Sequence, residues 1–184
     1  MKYIFLGIRS VILLYIIYLL IFLLSDQFAP TQPYFHPPFS LIILDWINLF
    51  IHEAGHLFFS PFGFMMKLLG GSLMQLLVPL AAIIVWYRRD RLNAHYFLFW
   101  FGESMINISV YVGDAPYRQL RLISSGALHD WNTILGRLSM LESAGTIASF
   151  LYVSGIIIII GSIVAGTIAA IYQNRHWKAP PISK

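Results

Sequence analysis

The stretch GTIASFLYVSGIIIIIGSIVAGTIAAIY, residues 145–172, contains no charged side chain. A helix of about 20 apolar residues is long enough to cross the hydrocarbon core of a bilayer, so this run predicts a membrane-spanning helix. The whole chain agrees, because 58% of its 184 residues are hydrophobic and only 11% are charged. A soluble domain carries about 25% charged residues, and one of this size would leave too much apolar surface exposed.

Four further apolar runs precede this one, separated by turn-forming or charged residues. The five predicted spans are residues 3–24, 39–59, 72–87, 94–112 and 145–172. Their lengths suit transmembrane helices. We therefore predict an all-α fold, a polytopic membrane bundle of about five transmembrane helices, in which residues 1–184 form a single domain with membrane lipid as its first partner.

Local signals set three boundaries in this pattern. No small-x-small cleavage site follows the first span, so we expect an uncleaved anchor helix, with a cleaved secretory signal as the alternative. Prolines at positions 30, 33, 37 and 38 predict an extended connector. Gly70-Gly71-Ser72 is expected to begin the third helix, and Asp130 to begin a short helix in the polar stretch 117–143.

Five spans place the two ends of the chain on opposite sides of the membrane. The positive-inside rule does not choose an orientation, because lysines and arginines divide equally between the sides. The net charge of +4 comes from these loop residues and does not indicate a nucleic-acid partner. The chain has no cysteine, which excludes disulfides and thiolate metal sites. We expect an integral, multi-pass protein of a prokaryotic cell membrane.

Two predicted spans carry polar side chains at helical spacing. In the second span the polar positions are Asp45, Asn48, His52 and His56. In the fourth they are Glu103, Asn107, Tyr111 and Asp114. Steps of three and four residues put each set on one helix face. Ionisable groups in lipid are costly unless they are paired or bind metal, so the faces form either a functional site or hydrogen-bond ladders between helices.

The sequence His52-Glu53-Ala54-Gly55-His56 favours a functional site. Histidines at i and i+4 lie one above the other on a helix, and both can reach one zinc ion at about 2.0–2.1 Å. Glu53 points about 100° away from His52 and can act as general base on zinc-activated water. Ala54 and Gly55 keep this surface thin for a third ligand or a substrate. The alternative is a structural histidine pair.

A catalytic zinc site needs a third protein ligand, which must here be a carboxylate or a histidine. If the spans alternate, the end of the fourth lies on the same side as the end of the second, and Asn107 lies at the depth of the metal. There it can orient a substrate backbone. We expect Asp130 as the third ligand, Asp114 as its rival, and Glu103 or His129 as further alternatives. Both aspartates can instead be helix N-caps.

These residues resemble the site-2 protease family of intramembrane zinc metalloproteases. The resemblance rests on the motif at 52–56 within a membrane helix, followed by two more helices and an aspartate. It implies that both histidines bind zinc and that the glutamate activates water to cut a peptide or membrane-protein substrate. In that family the third ligand belongs to an Asn-x-x-Pro-x-x-x-x-Asp-Gly motif. Here Asn107 and Asp114 are one residue closer, the proline is missing, and Ala115 replaces the glycine.

The sequence thus predicts a membrane-embedded zinc-dependent hydrolase, an intramembrane or membrane-proximal metallopeptidase with Zn²⁺ as its cofactor. The alternative is a non-catalytic membrane protein, an assembly partner or pseudo-enzyme, whose polar residues hold its helices together. A proton or metal-ion transporter fits less well, because there is no inverted repeat. Small residues of the last span predict close helix packing, within the chain or in a homo-oligomer. They are Gly161, Ser162, Ala165, Gly166 and Ala170.

Overall fold

The computed structural model describes residues 2–25, 36–120 and 128–176. These residues form six α-helices, joined in two places by single 3-10 turns, and contain no strand. The helices are α1 (Lys2–Leu24), α2 (Phe39–Phe59), α3 (Phe64–Asp90), α4 (His95–Gly113), α5 (Asp130–Arg137) and α6 (Ala144–Arg175). The predicted all-α bundle is confirmed. Most of the predicted connector, residues 26–35, lies outside the described residues.

Four helices, α1, α2, α3 and α6, are long and apolar enough to cross a membrane, as a membrane protein requires. The remaining predicted span corresponds to α4, which has 19 residues and carries Glu103 and Asn107 among its apolar side chains. It is the interior helix of the bundle, packed mainly against α6 and α3, and none of its large hydrophobic side chains is exposed. Because its neighbours cover it, α4 can bury Glu103 and Ser104 without presenting them to lipid.

The third helix begins at Phe64, earlier than the predicted start at residue 72. Gly70 and Gly71 therefore lie inside α3, and their role is in packing. A Cβ atom at Gly70 would lie 2.6 Å from the Cβ of Phe59 and 2.7 Å from the carbonyl oxygen of Gly55. These contacts show that α2 and α3 approach so closely that only glycine fits. Gly55 thus serves helix packing. The sequence predicts instead that it leaves room for a ligand or substrate.

Small residues also bring α6 against its neighbours. A Cβ atom at Gly155 would lie 2.6 Å from the carbonyl oxygen of Gly102 in α4. Ser162 donates a hydrogen bond to the carbonyl oxygen of His95 at 2.6 Å, and Gly166 lies against the same histidine. Packing within the chain therefore accounts for much of the predicted small-residue face. Gly161 is exposed, and the predicted homo-oligomer stays a prediction.

The N-terminal half of α1 lies at the same end of the bundle as the turn between α3 and α4. Arg9 of α1 donates a hydrogen bond to the side-chain oxygen of Asn93 in that turn at 2.6 Å. Leu13 of α1 lies beside Gly166 in the second half of α6. The prediction that the two ends of the chain lie on opposite sides is therefore wrong for the described parts of α1 and α6.

The two ends of the described chain lie at the same end of the bundle because of the place where α2 begins. The hydroxyl of Ser40, in the first turn of α2, is 2.8 Å from the hydroxyl of Tyr15, which lies midway along α1. α2 thus begins beside the middle of α1 and does not simply retrace α1 from its far end. The basic residues of the described chain divide between the two ends of the bundle. The end with the α3–α4 turn, called the turn end, has Arg9, Arg88, Arg89, Arg91 and Arg175, and the opposite end has Lys67, Arg118 and Arg137.

The shared end can be tested with single cysteines, because the natural chain has none. In sealed vesicles, we expect Tyr3→Cys and Arg89→Cys to react with a membrane-impermeant maleimide from the same side. Glu142→Cys, at the start of α6, should react from the opposite side. All three positions are exposed in the structure. Reaction of Tyr3→Cys from the side of Glu142→Cys would instead support simple alternation of five spans.

Candidate metal centre

Three side chains meet at the end of the bundle opposite the turn end. His52 and His56 come from the second half of α2, and Asp130 is the first residue of α5. The Nε2 atoms of His52 and His56 lie 3.3 and 3.2 Å from the same atom, Oδ2 of Asp130. These three atoms lie within 4.8 Å of one another. In the described ranges, no other set of three such side chains could hold a metal ion.

The second nitrogen of each imidazole faces an oxygen atom. Nδ1 of His56 is 2.8 Å from the backbone carbonyl oxygen of Lys67, and Nδ1 of His52 is 3.3 Å from Oε1 of Gln75. Carbonyl oxygens only accept hydrogen bonds, so in both rings the hydrogen belongs on Nδ1. In the neutral form of each ring, Nε2 therefore directs a lone pair toward Asp130. Three acceptors that face one point repel each other unless a cation or a shared proton lies between them.

The charge of Asp130 supports this arrangement. Burial by itself raises the pKa of the Asp130 carboxyl, but its interactions with His52 and His56 outweigh that effect and lower the pKa to about 2. The group is therefore ionised at neutral pH. Metal ligands must be deprotonated carboxylates and neutral imidazoles, and the Asp130 carboxylate meets that condition.

Contacts with α4 hold Asp130 in place at the start of α5. The hydroxyl of Tyr111 accepts a hydrogen bond from the backbone N–H of Asp130 at 3.1 Å and donates one to its Oδ2 at 3.4 Å. Trp131 donates from Nε1 to the hydroxyl of Ser72 in α3 at 3.0 Å. Because α5 has only eight residues, these contacts with longer helices fix its position.

His129 is the N-cap of α5. Its Nδ1 accepts a hydrogen bond from the backbone N–H of Asn132 at 3.2 Å, and its Nε2 donates to Oδ2 of Asp114 at 3.2 Å. The ring also packs on Tyr111, with 4.4 Å between centroids. His129 thus orients α5 and directs neither nitrogen toward the metal-ligand set.

The rival ligands are occupied elsewhere. The carboxylate of Asp114 accepts hydrogen bonds from the backbone N–H groups of Gln119 and Leu120 at 2.9 and 3.0 Å, besides that from His129. It therefore caps the chain after α4. Glu103 lies deeper in the bundle, where its Oε2 accepts from Nδ2 of Asn48 at 2.8 Å. The structure thus brings together the first-choice ligand set and places the alternatives apart from it.

Glu53, the predicted general base, lies beside this set and stays free. Its side chain is exposed and forms no hydrogen bond or ion pair with any residue that the structure describes. It is close enough to interact electrostatically with His56 and Tyr111. Its predicted role as general base stays a prediction.

The sequence did not single out Gln75. Its side chain is only 2% exposed, and its Nε2 donates to Oδ1 of Asn107 at 2.9 Å. The available signal was a lone amide in the otherwise apolar third span. Asn107 in turn donates from Nδ2 to Oδ1 of Asp45 at 3.0 Å. Both polar atoms of Asn107 are therefore engaged within the bundle, and its predicted role in orienting substrate stays a prediction.

The two polar faces do turn toward each other. Besides the contacts of Asp45 and Glu103, Oδ1 of Asn48 accepts hydrogen bonds from Trp100 and Ser104. In the described part of the chain, no buried side-chain nitrogen or oxygen lacks a hydrogen-bond partner. The deeper part of the interface is thus a satisfied ladder between α2 and α4.

Comparison with known proteins identifies no relative. No protein family, curated protein or solved structure matches the chain. The resemblance to site-2 proteases accordingly stays a prediction, and the geometry of the site is the basis for its proposed function.

Gly71 offers a test of the site that removes no ligand. A Cβ atom there would lie 2.5 Å from Nε2 of His52 and 2.7 Å from its Cδ2, so Gly71→Ala should displace the imidazole. We expect zinc affinity to fall about 10- to 100-fold, as for the loss of other supporting contacts. Chelator competition in detergent measures it. Gly161→Ala, with open space around the added methyl, is the matched control. Equal affinities would contradict the placement of His52.

Proposed function

We propose that the protein is a membrane-embedded, zinc-dependent hydrolase that acts as an intramembrane or membrane-proximal metallopeptidase. One observation carries the proposal, the convergence of Nε2 of His52, Nε2 of His56 and Oδ2 of Asp130 beside an unpaired Glu53. Placement in a cell membrane is part of the proposal. It agrees with the four helices that are long and apolar enough to cross a membrane, and a prokaryotic source stays a prediction.

The three side chains suit a catalytic zinc ion in number and chemistry, and the two distances from the histidines to Asp130 suit it in spacing. Two imidazole nitrogens and one carboxylate oxygen are a known catalytic donor set that leaves the fourth position open. Two donors, each about 2.0–2.1 Å from a tetrahedral zinc ion, lie about 3.3 Å apart, which matches the 3.3 and 3.2 Å separations seen here. The hydrogen bonds from both Nδ1 atoms to carbonyl oxygens are the supporting contacts that zinc-bound histidines ordinarily make.

Glu53 supplies the proton transfer that hydrolysis needs. When bound, zinc supplies a Lewis acid that polarises a carbonyl and lowers the pKa of water toward 7. The Glu53 carboxylate takes a proton from water as the water oxygen attacks the peptide carbonyl carbon. As the C–N bond breaks, Glu53 passes this proton to the leaving amine. An exposed carboxylate next to a ligand in the helix can serve both steps without binding the metal.

A non-catalytic role is the second candidate, and the satisfied ladder between α2 and α4 favours it. In that case Asp130 would share a proton with the two histidines and only hold α5 against α2. The two candidates differ in what they predict for metal content and for Glu53, because a structural triad needs neither zinc nor an exposed carboxylate.

Metal content and hydrolysis distinguish the two roles. We expect about one zinc ion per purified wild-type chain, loss of zinc in His52→Ala, and full zinc in Glu53→Gln. Loss of a general base typically costs a factor of about 10²–10⁴ in rate, which hydrolysis of a fluorogenic peptide library in liposomes can measure. A wild-type chain without zinc, or a Glu53→Gln variant as active as wild type, would contradict the proposal.

A pair of aspartate variants tests the identity of the third ligand. Asp130→Asn should lose most of the bound zinc, because an amide oxygen replaces the ionised carboxylate. Asp114→Asn should keep zinc but lower the free energy of unfolding by about 1–3 kcal/mol, since it weakens a buried hydrogen-bonding group. Elemental analysis and thermal melts of both variants provide the measurements. Zinc loss in Asp114→Asn alone would restore Asp114 as the ligand.

A further inference from the structure

We infer that Asp45 fixes the direction of a hydrogen-bond relay through Asn107 and Gln75, and that this relay holds His52 in its zinc-binding tautomer. The inference rests on the proposed function, because it explains how the same metal centre is prepared. It assigns positioning roles to three residues that do not touch the metal position.

The relay crosses three helices. Oδ1 of Asp45 in α2 accepts from Nδ2 of Asn107 in α4 at 3.0 Å. Oδ1 of Asn107 accepts from Nε2 of Gln75 in α3 at 2.9 Å. Oε1 of Gln75 faces Nδ1 of His52, again in α2, at 3.3 Å. Each donor thus points the same way along the relay, from His52 toward Asp45.

The need for a relay appears when the two histidines are compared. His56 faces the backbone carbonyl of Lys67, which can only accept, so its tautomer is fixed locally. His52 faces a primary amide, which has an acceptor on one side and a donor on the other. If that amide turned over, it would donate to Nδ1 and require the hydrogen on Nε2. An N–H group would then point into the metal position.

Nothing in Gln75 itself decides between these two orientations. Its other partner, Asn107, is also a primary amide and is equally reversible. In its ionised form Asp45 is the one member with a fixed role, because a carboxylate can only accept hydrogen bonds. The carboxylate of Asp45 must therefore accept from Nδ2 of Asn107, so Oδ1 of Asn107 faces Gln75 and accepts from its Nε2. Oε1 of Gln75 then remains to accept from Nδ1 of His52. The direction of the whole relay therefore follows from the carboxylate at its end.

The relay also explains why α2 carries a carboxylate at position 45. A carboxylate within an apolar helix is costly, and an asparagine in its place would also offer a hydrogen bond to Asn107. Only the carboxylate, however, removes the choice of direction. Asp45 and His52 lie seven residues apart, two turns along one helix face, so neighbouring helices must carry the connection between them.

Replacing the carboxylate of Asp45, which fixes the direction of the relay, should weaken zinc binding. In Asp45→Asn, an amide at position 45 satisfies Asn107 in either orientation, and the relay loses its preferred direction. We expect zinc affinity to fall about 10- to 100-fold, the usual effect of losing a supporting partner of a metal ligand. Without zinc, the ¹⁵N shifts of His52 should change from an Nδ1–H tautomer toward a mixture with Nε2–H.

A compensating substitution distinguishes the effect of the relay's hydrogen-bond direction from effects of lost charge or disturbed packing. Asp45→Asn combined with Gln75→Glu keeps the net charge and moves the carboxylate to the His52 end of the relay. That carboxylate accepts directly from Nδ1 of His52, and the turned Asn107 accepts from the amide at position 45. We expect the double variant to recover Nδ1–H on His52 and near wild-type affinity. Gln75→Glu alone should do worse, because two carboxylates then compete for the one N–H₂ group of Asn107.

The experiment compares wild type, both single variants and the double variant as a thermodynamic cycle. Zinc alone is the probe, titrated against a competing chelator with the full chain in detergent. Spectra of ¹⁵N-histidine-labelled, metal-free protein report the tautomer of His52. The control is Ser104→Ala, which removes a fully buried hydroxyl from the neighbouring Asn48 network. It should change neither zinc affinity nor the tautomer.

The outcomes are distinguishable. If the wild type binds zinc and Asp45→Asn matches it in affinity and tautomer, the relay is overturned while the zinc centre stands. Additive effects in the cycle, with no recovery in the double variant, would overturn the relay as well. A wild type that binds no zinc would overturn the proposed function. The relay would then be judged by the His52 tautomer, and Nε2–H in the wild type would overturn it.

Discussion

Three hydrogen-bond acceptors face one point at the end of this bundle, and that constraint shapes the structure around it. Nε2 of each histidine lies 3.2–3.3 Å from the same carboxylate oxygen, and in the neutral tautomers that the Nδ1 contacts favour no N–H group lies between these atoms. In a helix with lipid-facing neighbours such an arrangement is unfavourable unless a positive charge fills it. The helices, the glycines and the short α5 all contribute to keeping these atoms in that arrangement.

The fold supports the cluster by placing a polar helix inside an apolar shell. α4 carries Glu103 and Asn107, which would be unfavourable in contact with lipid. Because α6 and α3 cover this helix, it can present Tyr111 to α5 and Asn107 to α3. Close approach of α2 and α3 at Gly55 and Gly70 brings the carbonyl of Lys67 within reach of His56. The tight packing between helices is thus what allows a backbone group to orient a side chain of the site.

The sequence predicts the features that depend on local spacing. The interval between His52 and His56 predicts both rings on one helix face. Because the second and fourth helices are predicted to end on one side, the loop that follows the fourth helix there supplies Asp130 as the predicted third ligand. Features that arise from contacts between residues far apart in the chain leave no signal in local spacing, so the sequence does not predict them. Gly70 and Gly71 look like a helix start in sequence and become a packing surface only against α2, and the contact between Arg9 and Asn93 cannot be inferred from span counting.

The polar face of α2 divides into two parts with different chemistry, and the division bears on function. In the deeper part, Asn48 is satisfied by partners on α4, as assembly alone would require. In the outer part, two Nε2 atoms face a carboxylate and Glu53 has no partner among the described residues. If polar contacts served only to hold helices together, the outer part should be closed in the same way as the deeper one. The exposed and unpaired side chain of Glu53 has no role in a purely structural triad. A site that binds a cation and moves a proton requires both the convergent ligand set and a free base.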